Sequence, residues 1–177
     1  MQILRLSLSI LVSLSFLVTI SAQGTQLLRQ PSLSQDKIVF VYANDLWLVD
    51  RSGGDAIKLT TNEGSENNPH FSPDGKQIAF SAQYGGNTDV YVIPADGGSP
   101  KRLTWHPGAD VVQGWTNEGN VMFRSTRDAH PTVTNSFFVV STQGFLPKAM
   151  NVTRAAYGEL SGDGKYLAYT PITSWDP

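Results

Sequence analysis

The chain has 177 residues, of which 40% are hydrophobic, so it carries enough apolar material for a core and wholesale disorder is excluded. Thirteen Lys and Arg residues stand against 15 Asp and Glu residues, a net charge of −2. The sequence has no stretch rich in Lys and Arg like that of a nucleic-acid-binding protein, so we expect no nucleic-acid partner. The absence of cysteine excludes a disulfide scaffold, a thiolate zinc site and a cysteine nucleophile.

Residues 1–22 have the pattern of a signal peptide. Arg5 precedes an apolar run from Leu6 to Ile20, and Ser21 and Ala22 offer small residues where a signal peptidase cuts. An uncleaved membrane anchor has the same opening, but about fifteen residues is short of the ~20 that span a bilayer. We therefore predict export to the periplasm or the exterior, with a lead-in segment at 23–33.

Two sequence motifs, called the first and second text below, repeat along the rest of the chain. The first occurs at 71–80 and 160–169, with weaker copies at 33–40 and 115–123. The second occurs at 45–60, 89–104 and 135–151, where a short apolar run leads through glycine to a Leu-Thr pair or its counterpart. The first text returns after 38, 44 and 45 residues and the second after 44 and 46. A period near 44 is typical of the four-stranded blades of β-propellers.

The composition of each repeat favours strands joined by tight turns. Residues 78–80 and 90–93 are β-branched and aromatic runs, and Asp74-Gly75 and Asp96-Gly97 lie between such runs. Both faces of 90–93 are apolar, which indicates a sheet packed between two neighbours. We predict an all-β protein, a β-propeller of four-stranded antiparallel blades.

Counting the repeats predicts an incomplete ring. Units at 34–66, 67–110 and 111–155 are full, and 156–177 holds only the start of a fourth. Propellers close with about four to eight blades, so a propeller truncated after about three and a half blades leaves two unpaired sides. We expect a fragment of a longer chain, and a complete protein forming an open half-ring is the alternative.

The repeats resemble those of two known families. The hairpin text at 72–76 and the text from Asp89 to Thr104 are similar to the PD40-type repeat of TolB-like propellers. Residues 84–92 and 102–110, with 112–115 and 123–125 after them, resemble the N-terminal propeller of tricorn protease homologues. That likeness covers nearly all of 27–177.

The tricorn resemblance implies a large S41-type serine protease that degrades oligopeptides. It implies a six-bladed first propeller, a seven-bladed second one, a PDZ domain and a catalytic module, with the first propeller guiding or gating peptide passage. The catalytic residues of that family lie in modules outside this chain, so none is assigned here. The resemblance allows a homo-oligomer, requires no cofactor, and would place the family in the cytoplasm where no export signal is present.

Two other functions remain open. A non-enzymatic, TolB-like periplasmic propeller would scaffold protein partners, and a propeller fused to an amidohydrolase-type enzyme has similar blade text. The modules that accompany the propeller distinguish these alternatives from the protease.

The chain contains residue types that could form a catalytic or metal-binding site. His70, Ser72 and Asp74 lie within five positions, as a nucleophile, base and orienting group do, but Ser161 and Asp163 repeat the pair with Glu159 in place of the histidine. A Ser-Asp pair that recurs with the hairpin motif is expected to stabilise the turn. His106 and His130 precede prolines in loops, without the spacing of a metal site. We therefore predict no catalytic, cofactor-binding or metal-binding residue in this chain.

Arginine and tryptophan side chains gave weaker hypotheses. Arg124 and Arg127 would suit a channel wall that holds peptide carboxylates, although a solvated loop pair is the simpler interpretation. Trp47 and Trp115 lie in strand text and are expected in the core, whereas the roles of Trp105 and Trp175 stay open.

Overall fold

Fourteen β-strands make up the described part of the protein. The computed structural model describes residues 27–128 and 135–173, and no helix occurs in these ranges. Consequently no helix there is long and apolar enough to cross a membrane. The expected signal peptide at 1–22, His130 and Trp175 lie outside the described residues.

The strands form four antiparallel sheets in chain order. The first sheet consists of β1 (Arg29–Leu33), β2 (Lys37–Tyr42), β3 (Asp45–Asp50) and β4 (Ile57–Lys58). The second consists of β5 (Glu66–Phe71), β6 (Gln77–Ala82), β7 (Asp89–Pro94) and β8 (Lys101–Arg102). The third consists of β9 (Asp110–Trp115), β10 (Asn120–Ser125), β11 (Ser136–Ser141) and β12 (Lys148–Thr153), and a two-stranded fourth of β13 (Ala155–Leu160) and β14 (Leu167–Pro171).

The first sheet begins earlier than the expected unit at 34–66. Arg29 pairs with Val41 and Leu33 with Ile38, so part of the expected lead-in segment at 23–33 forms β1. The repeat text at 33–40 therefore marks the turn between the first two strands of a blade. Its first strand is hard to recognise in sequence because residues 29–33 lack the alternation of a half-buried strand.

Two apolar layers hold the second sheet between its neighbours. Tyr91 and Ile93 of β7 belong to the cluster shared with the first sheet, and Val90 and Val92 belong to the cluster shared with the third. In β6, Phe80 and its neighbour Ala79 divide in the same way, since successive side chains point to opposite faces. The prediction from the two apolar faces of 90–93 is confirmed.

The first strands of neighbouring sheets lie side by side. β5 contacts β1 on one side and β9 on the other, and β13 contacts β9 in turn. These four are called the inner strands below, and the last strands of the full sheets (β4, β8 and β12) are the outermost. Within the described residues the sheets form an open arc of three four-stranded blades and a partial fourth, which confirms the predicted fold.

Candidate functional site

The inner strands of the first two blades are joined by side chains. The backbone N–H of Asn68 donates to Gln30 Oε1 at 2.9 Å, and that of Phe71 donates to Ser32 Oγ at 3.2 Å. Both strands contain a bulge with a residue at positive φ, Gln30 or Asn68. A bulge leaves backbone groups without a partner in the sheet, and Gln30 of the neighbouring blade satisfies the Asn68 N–H in this way.

The same kind of joining continues to the fourth blade. Trp115 Nε1 donates to the carbonyl oxygen of His70 at 2.8 Å, and the N–H of Gly158 donates to Gln113 Oε1 at 3.1 Å. Gln113 is buried although it is polar, and it occupies the bulge of β9. The inner wall is therefore a continuous surface of four strands that are hydrogen-bonded from blade to blade.

This wall lines a wide, open cavity. We call it the inner cavity; its volume is about 840 Å³ and its lining includes Ser32, Asn68, His70, Gln113, Tyr157, Glu159, Tyr169 and Thr170. The Glu159 carboxylate is the one formally charged side chain in this lining. A wide, mostly uncharged polar surface suits passage or loose binding of a polar chain better than tight fixation of a small molecule.

His70 and Glu159 occupy corresponding positions on two inner strands. Burial lowers the pKa of His70, and the charge of Glu159 opposes this shift. The His70 imidazole is therefore mainly neutral at pH 7, so it can both donate and accept a hydrogen bond. Neither side chain has a hydrogen-bond partner within the described residues, so both are available to a molecule in the inner cavity.

A buried carboxylate closes the boundary between the first and second blades. Glu66, the first residue of β5, is fully buried and accepts the N–H of Leu46 at 2.8 Å together with the hydroxyls of Thr60 and Tyr84. Burial raises the pKa of Glu66, although the bonds from Thr60 and Tyr84 favour its charged form. Burial and the bond to Glu66 also raise the pKa of Tyr84.

Two buried carboxylates lie where the second and third blades meet, each paired with an arginine of its own blade, and Asp110 Oδ1 has no hydrogen-bond partner among the described residues. Asp110, the first residue of β9, is fully buried and pairs with Arg127 at 2.7 Å, and buried Asp89 pairs with Arg102. Thr104 accepts the N–H of Val90, as Thr60 accepts that of Leu46. Burial raises the pKa of Asp89, and Arg102 opposes the shift.

Sequence reasoning missed these carboxylates, although a signal was present. Glu66 and Asp110 each lie six residues after the threonine of a Leu-Thr pair, which places one acid at the start of β5 and one at the start of β9. Ala155 occupies this position in the fourth blade and has no carboxylate. The acids were not singled out because charged residues in loop text are usually solvated.

The arginine hypotheses have a structural answer. Arg124 donates to the carbonyl of Ala156 at 3.0 Å and lies 5.2 Å from the centre of the Tyr157 ring. Arg127 pairs with Asp110 and lies 5.0 Å from the ring centres of Phe123 and Phe138. Arg124 thus joins the third blade to the fourth, and Arg127 pairs and packs within the third blade, so neither the channel-wall nor the solvated-pair interpretation describes them.

The set of His70, Ser72 and Asp74 does not assemble. Ser72 donates to Asp74 Oδ1 at 2.7 Å and accepts the N–H of Gln77 at 2.9 Å, which fixes the turn before β6. That hydrogen bond from Ser72 is the main reason why the pKa of Asp74 is lowered. Ser161 repeats this geometry in the fourth blade, with its hydroxyl 2.7 Å from Asp163. His70 instead lines the inner cavity.

The described tryptophans and His106 differ in how deeply they are buried. Trp115 is buried in the core as expected, whereas Trp47 is half-buried and donates to the Tyr42 carbonyl at 3.2 Å. Trp105 is exposed, and His106 accepts the N–H of Gly108 at 3.0 Å. No group of three or more His, Asp or Glu side chains within 27–128 and 135–173 is placed to hold a metal ion.

Comparison with known protein families gives one match that spans most of the chain. The tricorn protease N-terminal β-propeller domain matches residues 25–177. Tricorn protease homolog 1 of Streptomyces coelicolor is 36% identical over 100 residues, which are 56% of this chain and 9% of that protein. The TolB protein of the Tol-Pal system of Francisella tularensis subsp. mediasiatica is 25% identical over 151 residues, 78% of this chain and 34% of that protein.

A solved structure has the same arrangement of strands. The crystal structure of the tricorn protease superposes with a TM-score of 0.66 and 29% identity, covering 78% of this chain and 14% of that one. The chain thus spans about a tenth of the length of the tricorn relatives it matches, in the region of their N-terminal propeller.

Proposed function

Because the chain belongs to the tricorn protease N-terminal β-propeller family, we propose that it forms part of the first propeller of an exported, tricorn-like serine protease that degrades oligopeptides. In this proposal the propeller guides or gates peptides, and catalysis takes place in other modules of the same protein. The chain by itself has no peptidase activity.

The inner cavity is the observation that carries this proposal. Its wall presents polar side chains and one carboxylate, without an assembled nucleophile and base among the described residues. Peptide backbones offer donors and acceptors along their whole length, so a polar wall can exchange hydrogen bonds with many sequences. Such a surface favours passage of peptides over selection of one ligand.

The inner cavity can be tested by blocking it. The chain has no cysteine, so Glu159→Cys in a cysteine-free background of the native-length protein (the polypeptide as its source cell makes it) takes a bulky maleimide at the cavity wall. We expect the label to lower turnover of oligopeptides about tenfold, because it narrows the path. Ser52→Cys, in the exposed turn after β3, is the matched control. Equal turnover by the two labelled proteins would contradict a guiding role.

A protein scaffold is the second candidate function. The likeness to TolB over 78% of the chain supports it, since that relative is a protein of the Tol-Pal system. A native-length protein that lacks peptidase activity but co-purifies with a defined protein partner through the inner strands would favour the scaffold.

Export is proposed from the pattern of residues 1–22. N-terminal sequencing of the native protein should begin at Gln23 if the signal peptide is cleaved where Ser21 and Ala22 indicate. An antibody against residues 60–110 should detect the protein in the periplasmic or extracellular fraction, at a mass several-fold above that of this chain. A cytoplasmic protein that retains Met1 would contradict export.

A further inference from the structure

An exposed apolar surface lies on the outer side of the second and third blades, away from the inner cavity. Trp105 is 65% exposed, Phe145 72% and Leu146 89%. They border a groove of about 530 Å³ that we call the outer groove, lined by residues 103–106, Arg127 and residues 144–147. Exposed aromatic and aliphatic side chains that meet in one concave surface are typical of protein interaction sites.

The backbone and side chain around Trp105 are held in place. The Arg102 guanidinium lies 5.6 Å from the centre of the Trp105 ring and is itself fixed by Asp89 and by the Thr104 carbonyl at 2.8 Å. On the other side, Asn87 Nδ2 donates to the His106 carbonyl at 2.6 Å. A pre-positioned tryptophan loses little conformational entropy when a partner covers it.

Positive charges without carboxylate partners flank the apolar side chains. Lys148 lines the adjoining cavity shared with Phe145 and Leu146, and Lys101 donates to the Thr142 carbonyl at 2.7 Å, two residues before Gly144. Neither ammonium group pairs with a carboxylate within the described residues, and no Asp or Glu lines either cavity. The surface combines an apolar centre with a positive rim.

We propose that the outer groove binds an extended segment of a protein partner in which apolar side chains are flanked by carboxylates. The apolar side chains fill the groove against Trp105 and Leu146, and the carboxylates pair with Lys101 and Lys148. A second copy of the chain fits poorly, because in a two-fold contact the same surface would offer no carboxylate to pair with the lysines. An apolar face that binds a membrane lies in the plane of the interface, whereas this surface is a groove, so a membrane fits poorly as well.

Two labelled hexapeptides test the proposal by fluorescence polarisation with the native-length protein. Both carry a central Leu-Phe pair, flanked in one peptide by four glutamates and in the other by four lysines. We expect the glutamate peptide to bind and the lysine peptide not to bind. Affinity for the glutamate peptide should fall as sodium chloride rises, because salt screens exposed ion pairs.

Substitutions locate the binding site. Trp105→Ala and Lys148→Glu should each weaken binding of the glutamate peptide about tenfold, which corresponds to the loss of one anchoring contact. Tyr166→Ala is the matched control, since Tyr166 is 72% exposed on the fourth blade, outside the outer groove, and its loss should leave binding unchanged. Trp105 and Lys148 are both exposed, so the two variants should keep the parent's melting temperature.

Several results would overturn the proposal. They are equal binding of the two peptides, no binding of either, or binding that Trp105→Ala and Lys148→Glu leave intact. Concentration-dependent self-association that Trp105→Ala abolishes would assign the groove to a second copy. Binding to vesicles of anionic lipid that the same variant abolishes would assign it to a membrane.

Discussion

A buried carboxylate determines how the first two blades meet. Glu66 receives three hydrogen bonds from the first and second blades, whereas the Asp110 carboxylate pairs with Arg127 of its own blade. A buried carboxylate is stable only where donors replace the water it has lost. The contacts between blades therefore depend on a few polar residues in addition to the apolar layers.

Glu66→Ala should destabilise the boundary between the first two blades by about 3 kcal/mol, because the hydroxyls of Thr60 and Tyr84 lose their shared acceptor and the Leu46 N–H keeps only Thr60. Hydrogen exchange of residues 45–60 in the native-length protein measures this loss as faster opening. Glu63→Ala removes an exposed carboxylate nearby and should change exchange little. Equal exchange in the two variants would show that Glu66 contributes nothing to the boundary.

Glu66 should also make stability depend on pH. Its pKa in the folded protein is raised by burial above the ordinary 4.5, so the folded state holds this proton more tightly than the unfolded state. The contribution is fully present below pH 4.5 and is lost as pH rises through the raised pKa. We expect the melting temperature of Glu66→Gln, relative to that of the parent, to increase as the pH is raised from 4.5 to 8. A constant difference would contradict the raised pKa, since other titrating groups cancel in the comparison.

At the scale of elements, repeated turns fix the register of the strands. Ser72 with Asp74 and Ser161 with Asp163 hold the turns before β6 and β14 by the same hydrogen bonds. Gly75 and Gly164 complete these turns with φ of 70°. The turn can thus be predicted from the sequence, because all its stabilising contacts lie within six consecutive residues.

Gly75→Ala should cost about 1 kcal/mol, because an L-residue is strained at this positive φ although only Ser34 Cβ lies near, at 3.5 Å. Gly162→Ala is the matched control, since its φ is ordinary and no atom lies within 4 Å of the new methyl group. Urea titration of the native-length protein, followed by hydrogen exchange of residues 66–82 and 155–171, reports each turn. A similar loss in both variants would contradict the role of φ.

Close packing of β13 on the third blade gives a second prediction for elements. A methyl group at Gly158 would lie 2.6 Å from Cε2 and Cζ of Phe137, a fully buried ring. Gly158→Ala should therefore cost about 2 kcal/mol through overpacking, measured as a lower melting temperature. Gly85→Ala, where the nearest atom is Arg102 at 3.8 Å, should have no such effect. Unchanged melting of Gly158→Ala would show that the Phe137 ring can move aside.

On the scale of the whole molecule, the two ends of the arc differ from its middle. Among the described residues, the second sheet is covered on both faces and the first sheet on one, and the fourth packs on the third through Tyr169 and Phe137. Tyr42 and Trp47 lie half-buried on the first sheet, and Tyr157 and Tyr169 are exposed on the fourth. Apolar faces of this kind and unpaired strand edges promote association between chains.

A fragment comprising residues 23–177 should therefore self-associate when it is expressed alone. Light scattering should find a mixture of species whose mean size grows with concentration, because the exposed end sheets bury each other. The same measurement on the native-length protein is the control and should give one size. A monodisperse monomer of the fragment would contradict this prediction.

Much of the fold was determined by local sequence. The β-branched and aromatic runs at 78–80 and 90–93, the turn motif at 72–76 and a period near 44 predicted the propeller and its covered middle sheet, which the structure confirms. The runs and the turn depend on neighbours within one hairpin, and the period on comparing the repeats, so all three can be recognised in the chain itself. The start of the first blade at Arg29 was missed because β1 is an exposed strand without alternation.

Tertiary structure decided the inner wall and the contacts between blades. Gln30 meets Asn68, and Gln113 meets Gly158, across 38 and 45 residues of sequence. From sequence alone, Glu66 and Asp110 are indistinguishable from solvated loop charges, and only the folded chain shows the donors around them. Likewise, only the structure shows that the Trp105 ring is exposed. Contacts between blades join residues far apart in the chain. Their partners are therefore set by how the sheets stack and not by any local pattern.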